Sequence, residues 1–229
     1  MKLSIIISVR KNSKFITKLL FSILVKTYSM ENIEVLCLLN KHDTWNADLP
    51  KVLPMFKYFY EDLKMGRAGL HKYFEELLPH TTGDWVLYLC DDHDIVMNQY
   101  DRYLLGFIQF HALDSKKIFQ IIPRCTNTGS VIHILSRGWI ATTGHIGAHA
   151  NVDSYLNDVA VKIPEWRLKY PQDPVFIDYT CMPEIMTREH CQTEIDPKFI
   201  ARNYTTDPTV KTDIEHDAHL IIEAIGKGL

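Results

Sequence analysis

The chain has 229 residues, with 25 Lys and Arg against 28 Asp and Glu, which gives a formal net charge of -3 at pH 7. Hydrophobic residues make up 46% and charged residues 23%, a composition that excludes disordered, collagen-like and coiled-coil classes. Since no positive excess is available to neutralise phosphates, we expect no nucleic-acid partner. No window approaches the roughly 20 apolar residues of a membrane span, so any membrane contact should be peripheral.

The cysteine pattern predicts a reducing compartment. The chain has 5 cysteines, an odd number without a C-x-x-C pair, which favours free thiols and a cytoplasmic location. The apolar stretch at the N-terminus is too short for a signal sequence, and a charged pair follows it directly. We therefore interpret this stretch as a first strand.

Strand and helix patterns alternate through the first half of the chain. Leu3–Val9 is a continuous apolar run, which predicts a central strand buried on both faces. After it, apolar residues at helical spacing predict a helix from Ser13 to near Thr27. The same criteria predict strands at Ile33–Leu39, Phe56–Tyr60 and Trp85–Leu89, and a helix over residues 69–79. This alternation is typical of a mostly parallel α/β sheet flanked by helices.

The second half is less regular. Its patterns predict helices over residues 99–113, Val152–Ile163 and Asp213–Ile225, strands at Lys117–Ile122 and Val131–Leu135, and irregular structure over residues 165–210. We expect the whole chain to form a single domain that ends in the terminal helix.

The sharpest local feature is the turn Cys90-Asp91-Asp92-His93-Asp94, which directly follows the predicted strand at Trp85–Leu89. Ligands of parallel α/β sheets bind where strands end in this way. Clustered carboxylates suit a hard divalent cation that also binds a diphosphate. The alternative interpretation is an acidic turn that only faces solvent.

Four segments, in order, resemble the GT-A glycosyltransferases of family 2. Ser4–Asn12 is similar to the family's opening strand and turn, S-I-I-I-P-T-Y-N, and Leu20–Tyr28 to L-x-S-I-L-x-Q-T-Y. Ile33–Leu39 resembles I-E-I-I-V-V-D, and Gly83–Asp92 resembles the strand that enters the metal-binding D-x-D. The resemblance covers about residues 1–100 and implies a GT-A, Rossmann-like fold. It also implies that residues 1–95 form a nucleotide-sugar-binding half and residues 96–229 an acceptor-binding half with the C-terminal helix.

This resemblance implies transfer of a sugar from a nucleotide-diphosphate sugar to a hydroxyl of a glycan or other acceptor, with Mn²⁺ or Mg²⁺ on the diphosphate. It assigns the metal to Asp92, together with Asp91 or Asp94. The first Asp of D-x-D falls on Cys90 in one register and on Asp92 in the other, so Asp92 belongs to the motif in both. A thiolate at Cys90 would suit a softer metal, but we interpret this residue as part of the buried strand.

Further residues are expected at the donor and acceptor sides of the site. The donor-binding candidates are Val9, Arg10, Asn12, Asn40, Arg67 and Asp91. The usual Asp pair and Gly-Ser after the second strand are missing, so the contact to the nucleobase is expected to differ from that of the family.

Asp153 is the candidate general base of an inverting transfer, because it lies where a small-residue loop enters a helix and matches the family's acceptor-side acidic residue. The alternative is that Asp153 or Asn151 only caps that helix. His145, His149 and Trp139 are candidate acceptor contacts.

Two other functions are open to this sequence. A sugar nucleotidyltransferase would also use an α/β sheet and Mg²⁺, but its Gly-rich turn after the first strand has no counterpart in Ser8–Asn12. A non-catalytic nucleotide- or sugar-binding domain would keep the fold without turnover, and the missing Asp pair after the second strand is compatible with it.

Overall fold

The structure is a computed structural model that describes residues 1–9, 13–42, 48–62, 69–126, 132–149, 151–178 and 207–229. The strands are β1 (Leu3–Ser8), β2 (Ile33–Asn40), β3 (Lys57–Glu61), β4 (Trp85–Cys90), β5 (His93–Ile95), β6 (Gln120–Ile121), β7 (Arg124–Cys125), β8 (Ile134–Ser136), β9 (Leu168–Lys169) and β10 (Pro174–Asp178). The helices are α1 (Ser13–Lys26), α2 (Leu49–Val52), α3 (Leu70–Leu77), α4 (Tyr100–Phe110), α5 (Arg137–Thr143), α6 (Val152–Ala160) and α7 (Pro208–Gly226). None of these helices combines the length and apolarity needed to cross a membrane.

The central sheet has seven strands in the order β3-β2-β1-β4-β8-β6-β9. The four strands from β3 to β4 are parallel, β8 runs antiparallel to both β4 and β6, and β9 is parallel to β6. A smaller sheet has the order β5-β10-β7. The predicted mostly parallel α/β sheet with a central first strand is thereby confirmed.

Helices cover both faces of the sheet, and alternation along β1 explains which face each residue meets. Ile5 and Ile7 belong to a core that includes α1 and α4. Ile6 points to the other face and belongs to a core with α3, α6 and α7. Because β1 is buried on both faces, its apolar run is continuous rather than alternating.

A buried carboxylate fixes the strands at the edge opposite the carboxyl ends. Glu34 is 6% exposed and accepts hydrogen bonds from Ser4 Oγ at 2.5 Å, Gly83 N at 3.1 Å and the backbone N–H of Thr82. Lys57 Nζ lies 3.1 Å from the same carboxylate. Burial alone would raise the pKa of Glu34, but the hydrogen bonds from Ser4, Thr82 and Lys57 lower it to about 2.

Gly83 allows this close approach of β4 to β1. A Cβ at residue 83 would lie 2.6 Å from the backbone N of Ser4, closer than packed atoms tolerate. Next to it, the carboxylate of Asp84 accepts a hydrogen bond from the backbone N of Lys2 at 2.8 Å. These contacts fix the beginning of β4, the strand that leads to the acidic turn.

The structure departs from the predicted elements mainly in the second half. Helix α5 occupies a stretch with no predicted helix, where Gly138 and two threonines are weak helix formers. Ser136 caps it by accepting from Trp139 N at 3.2 Å, and a Cβ at Gly138 would lie 2.4 Å from Lys116 O. Helix α5 is therefore fixed by a cap and by packing. Strands β9 and β10 lie in the range predicted to be irregular, and α7 begins before Asp213.

Candidate functional site

Strand β4 delivers the acidic turn to the edge of the sheet where β1 also ends. The two strands pair in parallel up to their last residues, Ser8 with Cys90. After Asp91 and Asp92 the chain enters β5, which pairs antiparallel with β10. The turn is therefore held between the two sheets, and Cys90 occupies the last position of the central-sheet strand.

Three potential metal ligands come together in this turn. One ligand atom each from Cys90, Asp92 and His93 lies within 4.8 Å of the others, the single such cluster in the described part of the chain. Cys90 and His93 are buried and Asp92 is half-buried. The backbone N–H of Cys90 donates to Nδ1 of His93 at 3.0 Å. Sulfur, nitrogen and carboxylate oxygen are ligands of divalent transition metals, so the residues present fit a divalent cation.

The other two carboxylates of the turn do not belong to this cluster. Asp91 and Asp94 are 3% and 4% exposed. Oδ2 of Asp94 lies 3.4 Å from Nζ of Lys18 on α1, and its Oδ1 accepts from the backbone N of Ile95 at 2.8 Å. The charge of Asp94 is therefore compensated by α1.

Besides Asp91, two of the predicted donor-binding residues lie in the described part of the chain. Val9 is fully buried, and its backbone N donates to Leu38 O at 3.0 Å, so its side chain serves the core. Asn40 ends β2 at the same sheet edge, and its Oδ1 accepts from the backbone N of His42 at 3.1 Å. Arg10, Asn12 and Arg67 lie outside the described residues.

Asp153 lies in the first turn of α6, half-buried. Burial is the main cause that raises the pKa of Tyr88, and the negative charge of Asp153 adds to it. Since Tyr88 precedes Cys90 by two residues on β4, α6 brings Asp153 towards the strand that carries the ligand cluster. Asn151 is the residue at the N-cap of α6, and its side chain makes no capping hydrogen bond.

The predicted acceptor residue His145 belongs to a polar contact with the C-terminal helix. Its Nε2 lies 3.3 Å from Oδ2 of Asp217 on α7, and Tyr155 Oη donates to the same carboxylate at 2.6 Å. Burial alone would lower the pKa of His145, but the hydrogen bond and charge of Asp217, with Glu75 and Asp213, raise it. The contact with Asp217 therefore stabilises the protonated imidazole.

His149 stacks with a histidine that the sequence patterns did not single out. The rings of His71 and His149 have centroids 6.5 Å apart and an interplanar angle of 12°. Burial lowers the pKa of His71 to about 4, and the neighbouring basic groups of Lys72, His149 and His145 add to this effect. His71 is therefore neutral at pH 7.

Trp139 does not provide the exposed ring expected for an acceptor contact. Its side chain is 1% exposed and packs in the core with α3, α6 and α7. Its apolar surface is used for packing α5 onto the sheet, so this expectation is corrected.

Comparisons with known proteins agree with the fold. No family model matches the sequence, and no curated protein matches it. S. aureus TarS 1-349 superposes with a TM-score of 0.61 at 14% identity, covering 98% of this chain and 81% of that one. Its complex with UDP-GlcNAc gives a TM-score of 0.61 at 15% identity, covering 99% and 80%. The mannosyltransferase PcManGT from Pyrobaculum calidifontis, in complex with GDP-Man and Mn²⁺, gives 0.62 at 13% identity, covering 98% and 73%.

The sheet order, the two helical layers and these superpositions define a GT-A-like glycosyltransferase fold. The chain spans 44% of a longer S. aureus TarS structure. At these identities the similarity establishes the fold alone.

Proposed function

We propose that this chain transfers a sugar from a nucleotide-diphosphate sugar to an acceptor hydroxyl, on a glycan or another acceptor, in a cation-dependent reaction with inversion. The observation that carries this proposal is the ligand cluster at the end of β4, located at the carboxyl edge of a GT-A-like sheet. Two structural neighbours bind UDP-GlcNAc and GDP-Man, the latter with Mn²⁺, which supports a donor of this class.

Asp92 is the residue of the cluster best suited to meet a donor diphosphate. It is half-buried, whereas Cys90 and His93 are buried, so an ion on this cluster would be approached from the side of Asp92. Mn²⁺ or Mg²⁺ bound there would balance the negative charge that develops on the departing nucleoside diphosphate.

Asp153 is proposed as the general base. Its carboxylate accepts the proton of the acceptor hydroxyl while that oxygen forms a bond to the anomeric carbon. The bond from this carbon to the diphosphate oxygen breaks, and the nucleoside diphosphate leaves with the electron pair. Attack from the face opposite the leaving group inverts the anomeric centre.

Asp153→Asn tests this role, with Asp158→Asn as its matched control because Asp158 is an exposed carboxylate on the same helix. We expect Asp153→Asn to lower the rate of sugar transfer by about 10²-fold or more. Binding of UDP or GDP with Mn²⁺, measured by thermal unfolding, should stay near the wild-type value. Full transfer activity in Asp153→Asn would contradict the assignment.

The same unfolding experiment separates the other candidate functions. A nucleotide at about 100 times its Kd should stabilise the protein by about 2.7 kcal/mol. Stabilisation that requires a divalent cation, followed by release of free sugar or sugar transfer, supports the proposal. Cation-dependent binding without turnover on any donor would favour a non-catalytic binding domain, and formation of a sugar nucleotide from a sugar phosphate would favour a nucleotidyltransferase.

A further inference from the structure

The ligand cluster has a donor set that differs from a pair of carboxylates. It combines the thiol sulfur of Cys90, a ring nitrogen of His93 and a carboxylate oxygen of Asp92, all within 4.8 Å of one another. Mg²⁺ prefers six oxygen ligands in octahedral geometry, whereas thiolate and imidazole are typical ligands of Zn²⁺ and Co²⁺. The chemistry of this cluster therefore favours a softer ion than the acidic sequence of the turn suggests.

We propose that Cys90, Asp92 and His93 form a mixed sulfur, oxygen and nitrogen site that binds Zn²⁺ or Co²⁺ ahead of Mg²⁺, with Sγ of Cys90 as a direct ligand. The inference deepens the proposed function, since an ion at this position would be the one that meets the donor diphosphate. As the ion binds, the thiol proton of Cys90 passes to water and the sulfur lone pair forms the bond to the metal.

The spacing of the three side chains suits this assignment. With bonds of about 2.0–2.3 Å to zinc, the ligand atoms of one tetrahedral site lie roughly 3.3–3.8 Å apart. Atoms within 4.8 Å of one another need to approach by about 1.5 Å at most to reach these separations. Three protein ligands also leave a fourth position open, as in catalytic zinc sites.

The hydrogen bond of His93 identifies the contact that an ion on this ring would displace. Nδ1 accepts from the backbone N–H of Cys90 at 3.0 Å, so in the neutral ring Nδ1 carries the lone pair and Nε2 carries the proton. A cation on Nδ1 replaces this N–H contact. Binding should therefore change both the Nδ1 and the Cys90 amide signals in an NMR spectrum.

The neighbouring carboxylates do not provide a harder alternative set. Asp94 is held by Lys18 at 3.4 Å and by the backbone N of Ile95, and in the described residues neither it nor Asp91 joins a cluster of three ligands. The cluster would therefore offer an ion at this turn one carboxylate ligand, that of Asp92, beside the sulfur and nitrogen ligands.

Titration of the metal-stripped full chain with Co²⁺ tests the inference. We expect the near-ultraviolet charge-transfer band of a cobalt–thiolate bond. The band should vanish in Cys90→Ser, with a loss of Co²⁺ affinity of at least about 10-fold. Cys37→Ala is the control and should keep the band, because Cys37 is fully buried in the opposite core. Zn²⁺ should displace Co²⁺, and a large excess of Mg²⁺ should not.

Cys90→Asp provides the second variant. It restores a carboxylate at the end of β4, so the band should be lost while Mn²⁺ binding strengthens relative to the wild type. A band that persists in Cys90→Ser, or Co²⁺ bound to the wild type without a thiolate band, would overturn the inference. Thermal unfolding at neutral pH checks that each variant is folded.

The failure of this inference can be distinguished from the failure of the proposed function. If the thiolate band is absent but Mn²⁺ still supports binding of UDP or GDP, the mixed site is refuted and the proposed function stands. If the band is present but no nucleotide diphosphate binds with any ion, the mixed site stands and the proposed function is refuted.

Discussion

Replacing Glu34 by Gln should lower the stability of the folded protein, by an amount that follows from the lowered pKa of Glu34. The pKa of Glu34 is lowered from 4.5 to about 2, which corresponds to about 3 kcal/mol of preference for the charged carboxylate in the folded state. Gln keeps an oxygen for Ser4 and for the backbone of Thr82. It loses the charge that meets Lys57. For a chain of this size, about 3 kcal/mol lowers the Tm by roughly 6–12 °C.

The pH dependence of this difference follows from the lowered pKa. A carboxylate with a lower pKa in the folded state stabilises the protein fully above its unfolded value. Its contribution disappears as the pH falls from about 4.5 towards 2. The Tm difference between the wild type and Glu34→Gln should therefore be largest near pH 7 and shrink in acid.

Circular dichroism melts at a series of pH values measure this effect. Glu31→Gln is the matched control, because Glu31 is an exposed carboxylate three positions earlier, and its Tm should stay within about 2 °C of the wild type. A Tm difference for Glu34→Gln that is the same at pH 7 and pH 3 would refute the reasoning. The loss of stability would then arise from the amide group of Gln in the buried site and not from the missing charge.

Two further predictions concern other contacts. Gly83→Ala should destabilise the protein by about 2 kcal/mol or more in urea unfolding, because the new Cβ would lie 2.6 Å from Ser4 N. The control Gly106→Ala should instead stabilise the protein by up to about 1 kcal/mol, because its Cβ meets nothing within 4 Å. Equal changes in stability for the two variants would contradict this account. His145 has a raised pKa through Asp217, so its contribution to stability is present below its unfolded value of 6.5 and lost as the pH rises through the folded value. Asp217→Asn should lower the pKa of His145 in an NMR titration and remove this pH dependence, and an unchanged pKa would rule out the pair.

The fold was predictable where burial follows a local sequence pattern, either a continuous apolar run or apolar residues at helical spacing. β1 and β4 are buried along their whole length and β2 along all but its last residue, Asn40, and their apolar runs identify them directly. Helix α1 shows the spacing of a helix packed on one face. By contrast, α5 depends on a cap at Ser136 and on the fit of Gly138 against Lys116, which are contacts that no local pattern encodes.

The position of the ligand cluster at the end of β4 could be expected from the sequence, but its combination of ligand atoms could not. β4 ends at the edge where ligands of parallel α/β sheets bind. Asp92 could be named as a candidate because it lies in the acidic turn directly after this strand. The proximity of Cys90, Asp92 and His93 depends on how the turn bends between two sheets. The ion pair of Asp94 with Lys18 and the contact of His145 with Asp217 join residues far apart in the chain, so only the folded structure shows them.

The fixed course of β4 has a consequence for how this site can change in evolution. The strand begins in the Glu34 and Gly83 contacts and pairs with β1 to its last residue. The backbone at position 90 is therefore set by the sheet and not by the side chain that the position carries. A single codon change there can exchange a potential sulfur ligand for a potential oxygen ligand without a new fold, so an ion preference at this turn can diverge between descendants while the scaffold is inherited intact.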